Sequence, residues 1–343
     1  MTALTLSCWP ALGRQLFPGA LACVVVAAAA TFLSQHYGAP VMLFALLLGM
    51  AMNFLSADGP CTAGIEWTSR QVLRMGVALL GLRITTGQIA AMGWHPVMMV
   101  VTSVALTICL GIVLARLMGY RSFFGLLTGG AVAICGASAA MALSAAMPNH
   151  AMRERATLFT VISVSALSTL AMIFYPMIVR ALGLDAVQAG IFLGGTIHDV
   201  AQVVGAGYGM STATGDAATF VKLLRVTMLL PVIAFAGLLT RTHQGSAVEG
   251  KRPPLLPLFA MAFAVLVAIN STGWVPRAAT QAGVDLSQWC LVAAIAAIGM
   301  KTRLKDLATV GWMPIALMVG ETIFLAVFVV AWLHWGGAAP GFA

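Results

Sequence analysis

The chain has 343 residues, of which 61% are hydrophobic and only 8% charged, with a mean hydropathy of +0.98 and a formal net charge of +8. An ordinary soluble domain carries about a quarter charged residues, so these figures exclude a soluble enzyme or binding module and predict a polytopic membrane protein. The basic balance does not mark a nucleic-acid binder, because the Lys and Arg residues are scattered through the connecting segments, where the bias of cytoplasmic loops toward basic side chains accounts for them.

About 20 apolar residues cross a bilayer, and the chain offers about ten or eleven such runs separated by short polar connections. This predicts an all-α integral membrane fold in one polytopic domain, 1–343. The first run, 16–33, ends in an Ala-rich stretch that imitates a signal-peptide cleavage region, but it is as long as the later runs and is read as a span. The second, 41–54, follows a Gly38-Ala39-Pro40 turn and ends at Asn53. The third, 72–82, is short unless it begins near Glu66, and the fourth, 97–117, is followed by Arg121. The fifth, 123–147, concentrates small residues around Gly136, Ala137 and Ser138, the pattern of an interrupted helix. After a hydrophilic elbow at 149–155, the sixth runs to residue 179 and includes Pro176. The seventh, 190–209, sets His198, Asp199 and Gln202 in an apolar run with six glycines. In the eighth, 217–239, Lys222 and Arg225 stand three apart, which places them on one helical face. A polar loop at 240–254 leads to the ninth (255–270), tenth (286–300) and eleventh (312–335) runs, the last carrying Glu321. The six cysteines, Cys8, Cys23, Cys61, Cys109, Cys135 and Cys290, have no paired or metal-ligand spacing and are read as packing residues. No zinc motif, phosphate loop or nucleophile elbow appears, so no cofactor is expected.

The chain also repeats itself. GLRITTGQIAAMGWHP at 81–96 aligns without gaps with GMKTRLKDLATVGWMP at 299–314, an offset of 218, and one residue out of register Asn53 falls opposite Asn270. The repeat-like halves are roughly 15–148 and 217–335, with 149–216 between them. The matched loops follow spans three and ten, and an odd number of crossings between them makes the repeat inverted, a hallmark of secondary transporters. With the N-terminus in the cytoplasm, twelve cations fall at inner ends: Arg14, Arg70, Arg74, Arg116, Arg121, Arg180, Arg241, Lys251, Arg252, Lys301, Arg303 and Lys305. Six fall at outer ends: Arg83, Arg153, Arg155, Lys222, Arg225 and Arg277. The C-terminus is then periplasmic. A second match, Gly125, Gly129 and Gly130 against Gly190, Gly194 and Gly195 at an offset of 65, joins spans five and seven. Their even separation forbids inverted mates under this count, which leaves either a different count or plain glycine packing.

An ionisable residue at membrane depth is by default a functional site. On a helix His198 and Gln202 share a face, with Asp199 about 100° round, and His is the side chain that changes charge near neutral pH. The competing reading is a helix end at the membrane surface capped by these residues. Lys222 and Arg225 either neutralise Asp199 and hold an anion or snorkel at an interface. Gly136, Ala137 and Ser138 either open a half-helix amino terminus to an oxyanion or serve close packing. Glu321 is a proton carrier or an interhelical hydrogen bond, and Asn53 and Asn270 are structural contacts or pore-lining groups.

Four stretches carry a family resemblance: LRMGVALLGLR at 73–83, AICGASAA at 133–140, GGTIHDVAQVVGAG at 194–207 and LLRVTMLLP at 223–231. On these the chain resembles the YeiH-like sulfate-exporter family of bacterial inner-membrane proteins, with Asp199 where the family pattern carries Glu. The resemblance implies a multi-pass transporter of the cation/proton-antiporter and anion-transporter class, built on interrupted helices, whose partners are the lipid bilayer, a small anionic solute and protons. Export of sulfate, a related organosulfur compound or a carboxylate is the implied activity. A cation/proton antiporter and an intramembrane enzyme using His198, Asp199 and Glu321 are the alternatives. In the transporter reading, His198 and Asp199 face Gly136–Ser138.

Overall fold

The computed structural model describes residues 9–38, 40–91, 93–146, 153–241, 258–302 and 312–335. The described residues are helical throughout, joined by turns. In chain order the helices are α1 (Trp9–Tyr37), α2 (Val41–Ala51), α3 (Thr62–Trp67), α4 (Leu73–Leu79), α5 (Thr86–Ala91), α6 (His95–Leu117), α7 (Ser122–Ala133) and α8 (Ala137–Ala146). There follow α9 (Arg153–Ala181), α10 (Ala186–Thr196), α11 (Val200–Met210), α12 (Thr212–Thr227), α13 (Leu229–Arg241), α14 (Leu258–Ser271), α15 (Arg277–Lys301) and α16 (Trp312–Trp335). Among the described residues, six segments, led by α1, α6, α9, α12, α15 and α16, are long and apolar enough to cross a bilayer. Trp94, Trp274, Trp312 and Trp335 are exposed at helix ends, where the amphipathic indole suits a membrane–water interface. The 240–254 loop beyond Arg241, residues 149–152 of the elbow and 303–311 of the repeat lie outside the described residues.

Helix boundaries follow local chemistry. Asp185 caps α10, accepting from Val187 N and Gln188 N (both 2.9 Å), while the Gln188 side chain accepts from Asp185 N, a reciprocal capping box. Ser211 caps α12 by accepting from Thr214 N. Pro40 and Pro276 precede α2 and α15, positions where a missing N–H costs nothing.

The chain divides into two compact units. The first gathers α1–α4 with α14 and α15. Here Gly299 of α15 meets the Leu46 carbonyl of α2 too closely to admit a Cβ, and Gly81, just after α4, meets the Phe263 carbonyl of α14 in the same way. Asn53 Nδ2 donates to Met300 O (2.5 Å) and Thr302 O (3.4 Å), and Asn270 Nδ2 donates to Ile84 O (3.4 Å). These contacts pair like with like: Leu46 and Phe263, and Asn53 and Asn270, are each 217 residues apart, and Gly81 and Gly299 are 218 apart.

The second unit holds α6–α13 and α16. Gly125 and Gly129 of α7 lie against Gly111 and Ile108 of α6, while Gly190 and Gly194 of α10 lie against Ala217 and Ala218 of α12. Glycines four apart let two helix backbones approach closely, so the glycine pattern repeated at an offset of 65 does the same packing twice. Both helices then stop short. The α7–α8 pair folds back, so that Leu143 fills the space beside Gly130. The α10–α11 pair folds back too: Gly190, near its start, and Gly207, near its end, both pack on the first turns of α12 around Thr214 and Gly215.

Candidate functional site

Between α7 and α8 the chain leaves helical geometry at Ile134 and turns through Gly136, whose φ of +65° is the left-handed region that glycine enters at least cost. Between α10 and α11 the turn runs through Ile197 and Asp199, both in extended conformation. The two turns meet. The space beside Gly136 is bounded by the backbone and Cβ of His198, 3.7 Å from where a Gly136 Cβ would stand.

Each turn exposes the carbonyl end of the helix before it, and α12 supplies the donors. Lys222 Nζ donates to Ile134 O (2.7 Å), Ile197 O (3.1 Å) and His198 O. Arg225 Nε donates to Ala133 O (2.7 Å), one terminal nitrogen to Gly194 O and Ile197 O (both 3.1 Å), and the other to Val132 O (2.8 Å). Both side chains are fully buried. Seven bonds to six carbonyls of two helix ends place two cations where the helix dipoles are negative, which offsets the cost of burying them. The expectation that Lys222 and Arg225 share a face holds, and both donate to Ile197 O.

His198 is also fully buried. Its Nδ1 lies 3.1 Å from Val132 O and its Nε2 lies 3.1 Å from Thr322 Oγ1 on α16. Asp199 takes another course: its carboxylate accepts from Ala201 N (2.8 Å), capping α11, and its backbone N–H donates to Ser168 Oγ of α9 (2.9 Å). Gln202 Nε2 donates to Thr169 Oγ1 (2.8 Å). His198 and Gln202 therefore do not share a helix face, because Asp199 starts a new helix between them. Ala137 and Ser138 open α8, whose first internal backbone bond is Ala140 N to Gly136 O (3.0 Å); Ser138 is exposed.

Glu321 immediately precedes Thr322 on α16 but faces another way, accepting from Thr128 Oγ1 (2.8 Å) against Gly111 of α6. Asn53 and Asn270 belong to the other unit and bind carbonyls there. Among the described residues, no three His, Cys, Asp or Glu side chains gather in a way that could hold a metal ion. Sequence reasoning missed Thr322, Thr128, Ser168 and Thr169. Their only trace in the sequence is a hydroxyl within an apolar run, which is common in membrane helices.

A family model described as conserved hypothetical protein 698 matches residues 18–318. UPF0324 membrane protein CT0845 of Chlorobaculum tepidum is 57% identical over 322 residues, covering 94% of this chain and 90% of that protein. UPF0324 membrane protein RB0971 of Rhizobium meliloti is 52% identical, covering 93% of each chain. UPF0324 membrane protein TauZ of Paracoccus denitrificans is 53% identical, covering 93% of this chain and 95% of that protein. No solved structure matches. With its apolar helices and these relatives, the chain is a multi-pass membrane protein that belongs to the conserved hypothetical protein 698 family of UPF0324 membrane proteins, consistent with the YeiH-like resemblance.

Proposed function

We propose that this protein is a secondary transporter of the bacterial inner membrane that moves a small anion, sulfate or a related organosulfur or carboxylate compound, with protons coupled through His198 and Asp199. In this reading α7–α8 and α10–α11 are re-entrant hairpins that enter from opposite sides and meet at the middle of the bilayer. The fold-back contacts of both pairs support it, as does α9, which connects the end of one hairpin to the start of the other. Irregular backbone at membrane depth is tolerated where protein buries it, and Lys222 and Arg225 satisfy it here. Because a hairpin returns where a span crosses, the even separation that barred the two glycine-patterned segments from being inverted mates disappears.

The basic residues agree with this topology. Arg153 and Arg155 move to the inner side with the hairpin that precedes them, Arg180 moves outward, and Lys222 and Arg225 lie in the interior. Only Arg83, Arg180 and Arg277 are then left outside, a stronger inside bias than eleven crossings produce.

The observation that carries an anion as cargo is the asymmetry of the two amino-terminal helix ends at the turns. Asp199 closes the start of α11 with its own carboxylate, whereas α8 starts after Gly136, which has no side chain to cap it. Backbone N–H groups of Ala137 and Ser138 at that end attract negative charge. Around the turns Lys222, Arg225 and Asp199 sum to one formal positive charge, which an anion balances. Lys222 and Arg225 support the site through the carbonyls they hold, rather than by direct contact with the cargo.

Labelled sulfate flux in proteoliposomes should depend on an imposed pH gradient and collapse in His198→Ala. Full flux in that variant removes the proton role. Competition by Na⁺ or K⁺, with no flux or thermal stabilisation by sulfate, sulfite, thiosulfate, taurine or carboxylates, replaces the anion reading with cation/proton exchange, because a ligand of the folded state must raise its apparent stability.

A further inference from the structure

The hydrogen-bond partners of His198 define where its proton goes. Val132 O is a carbonyl and only accepts, so Nδ1 carries a hydrogen. Nε2 faces Thr322 Oγ1 at 3.1 Å, and that hydroxyl has a second partner, Met318 O at 2.7 Å, one turn back on α16. A hydroxyl has one hydrogen and two lone pairs. If the Thr322 hydrogen points to Nε2, the ring is neutral. If it points to Met318 O, the oxygen accepts from Nε2–H, and the ring is an imidazolium. Both states are fully hydrogen-bonded with every heavy atom in the same place, and the change between them is one hydroxyl rotation. Thr322 and His198 are both buried, so the hydroxyl is the partner that Nε2 has in either state.

We propose that Thr322 is the positioning residue that allows His198 to take up a proton at Nε2, and that this uptake accompanies binding of the anion at the amino end of α8. The inference rests on the transporter reading above. The charges that act on His198 are Lys222 and Arg225 from α12; Cys135 in the turn after α7, Asp199 next to His198 in sequence and Tyr175 from α9 interact with those two cations, and Glu321 precedes Thr322 on α16. Two buried cations already stand beside the ring, so a third positive charge there repels them and attracts an anion across Gly136. By linkage, a proton that strengthens anion binding is itself bound more tightly when the anion is present. Proton and anion are then bound together at the site, so anion flux in either direction should respond to the proton gradient.

The test is calorimetric titration of the purified full chain with sulfate, sulfite and thiosulfate, in buffers of different ionisation enthalpy, which counts protons taken up per anion bound. The wild type should take up a substantial fraction of a proton near neutral pH, and Thr322→Ser should match it. Thr322→Val should still bind the anion but lower the proton affinity about tenfold or more, one pH unit in the midpoint of uptake; Thr322→Ala serves if the Val variant does not fold. Wild-type uptake retained in the Val or Ala variant overturns the role of Thr322. Anion binding by the wild type with no proton uptake overturns the coupling and leaves the anion reading standing. Failure of all three, and of taurine and carboxylates titrated in the same way, overturns the anion reading and this inference with it.

Discussion

At the residue scale, Lys222 and Arg225 are the side chains on which the two turns depend. A buried carbonyl without a donor costs about 1–3 kcal/mol, and Arg225 serves four of them from a planar fork that Lys cannot reproduce. Arg225→Lys should therefore lose at least two of those bonds and destabilise the protein by about 2 kcal/mol or more, read as a lowered thermal midpoint in detergent. An unchanged midpoint means that water or lipid already satisfies these carbonyls. The sequence made these residues conspicuous because charge is rare in so apolar a chain. It could not assign their work, since every acceptor they use is a backbone carbonyl, and carbonyls look alike at every position. Thr322 was invisible for the opposite reason: nothing separates it in sequence from the other hydroxyls of the apolar helices, and only its distance to His198 singles it out.

At the element scale, the glycine pattern of α7 and α10 was legible as a shared design, and both sets of glycines do pack a helix backbone against its neighbour. What the pattern could not say was whether the chain continues after the turn or comes back. Apolar content is the same for a crossing helix and for a hairpin arm buried in protein, so the periodicity carries no sign of direction. Cysteines introduced singly in a cysteine-free background as Ser122→Cys and Ala146→Cys should react with a membrane-impermeant maleimide from the same side. Ala186→Cys and Ala213→Cys should both react from the other side. Labelling of Ser122→Cys and Ala146→Cys from opposite sides makes α7–α8 a crossing segment and removes the hairpin reading.

At the scale of the whole molecule, the internal repeat was the most informative feature of the chain, and the first unit supplies contacts that fit it. Asn53 reaches the carbonyls that end α15, and Asn270 reaches the carbonyl of Ile84 beyond α4. Asn53→Ala and Asn270→Ala should each cost about 1 kcal/mol, with the effects adding in the double variant because the contacts are separate. Thermal unfolding of the three variants measures this, and a double variant no worse than one single variant counts against two independent, equivalent contacts.

Composition alone determined the membrane class, since 8% charge leaves nothing to solvate a soluble surface. Self-comparison suggested the repeat, and the rarity of His198, Asp199, Lys222 and Arg225 in an apolar background marked them as candidate site residues. The tertiary structure decided how they are used: His198 paired with Thr322 of α16, Asp199 drawn away to cap α11, and two cations spread over the carbonyl ends of two helices. The reason is that sequence specifies which groups are costly to bury, whereas the partners that make burial tolerable are chosen by packing and lie far off in the chain, 124 residues for His198 and 193 for Glu321.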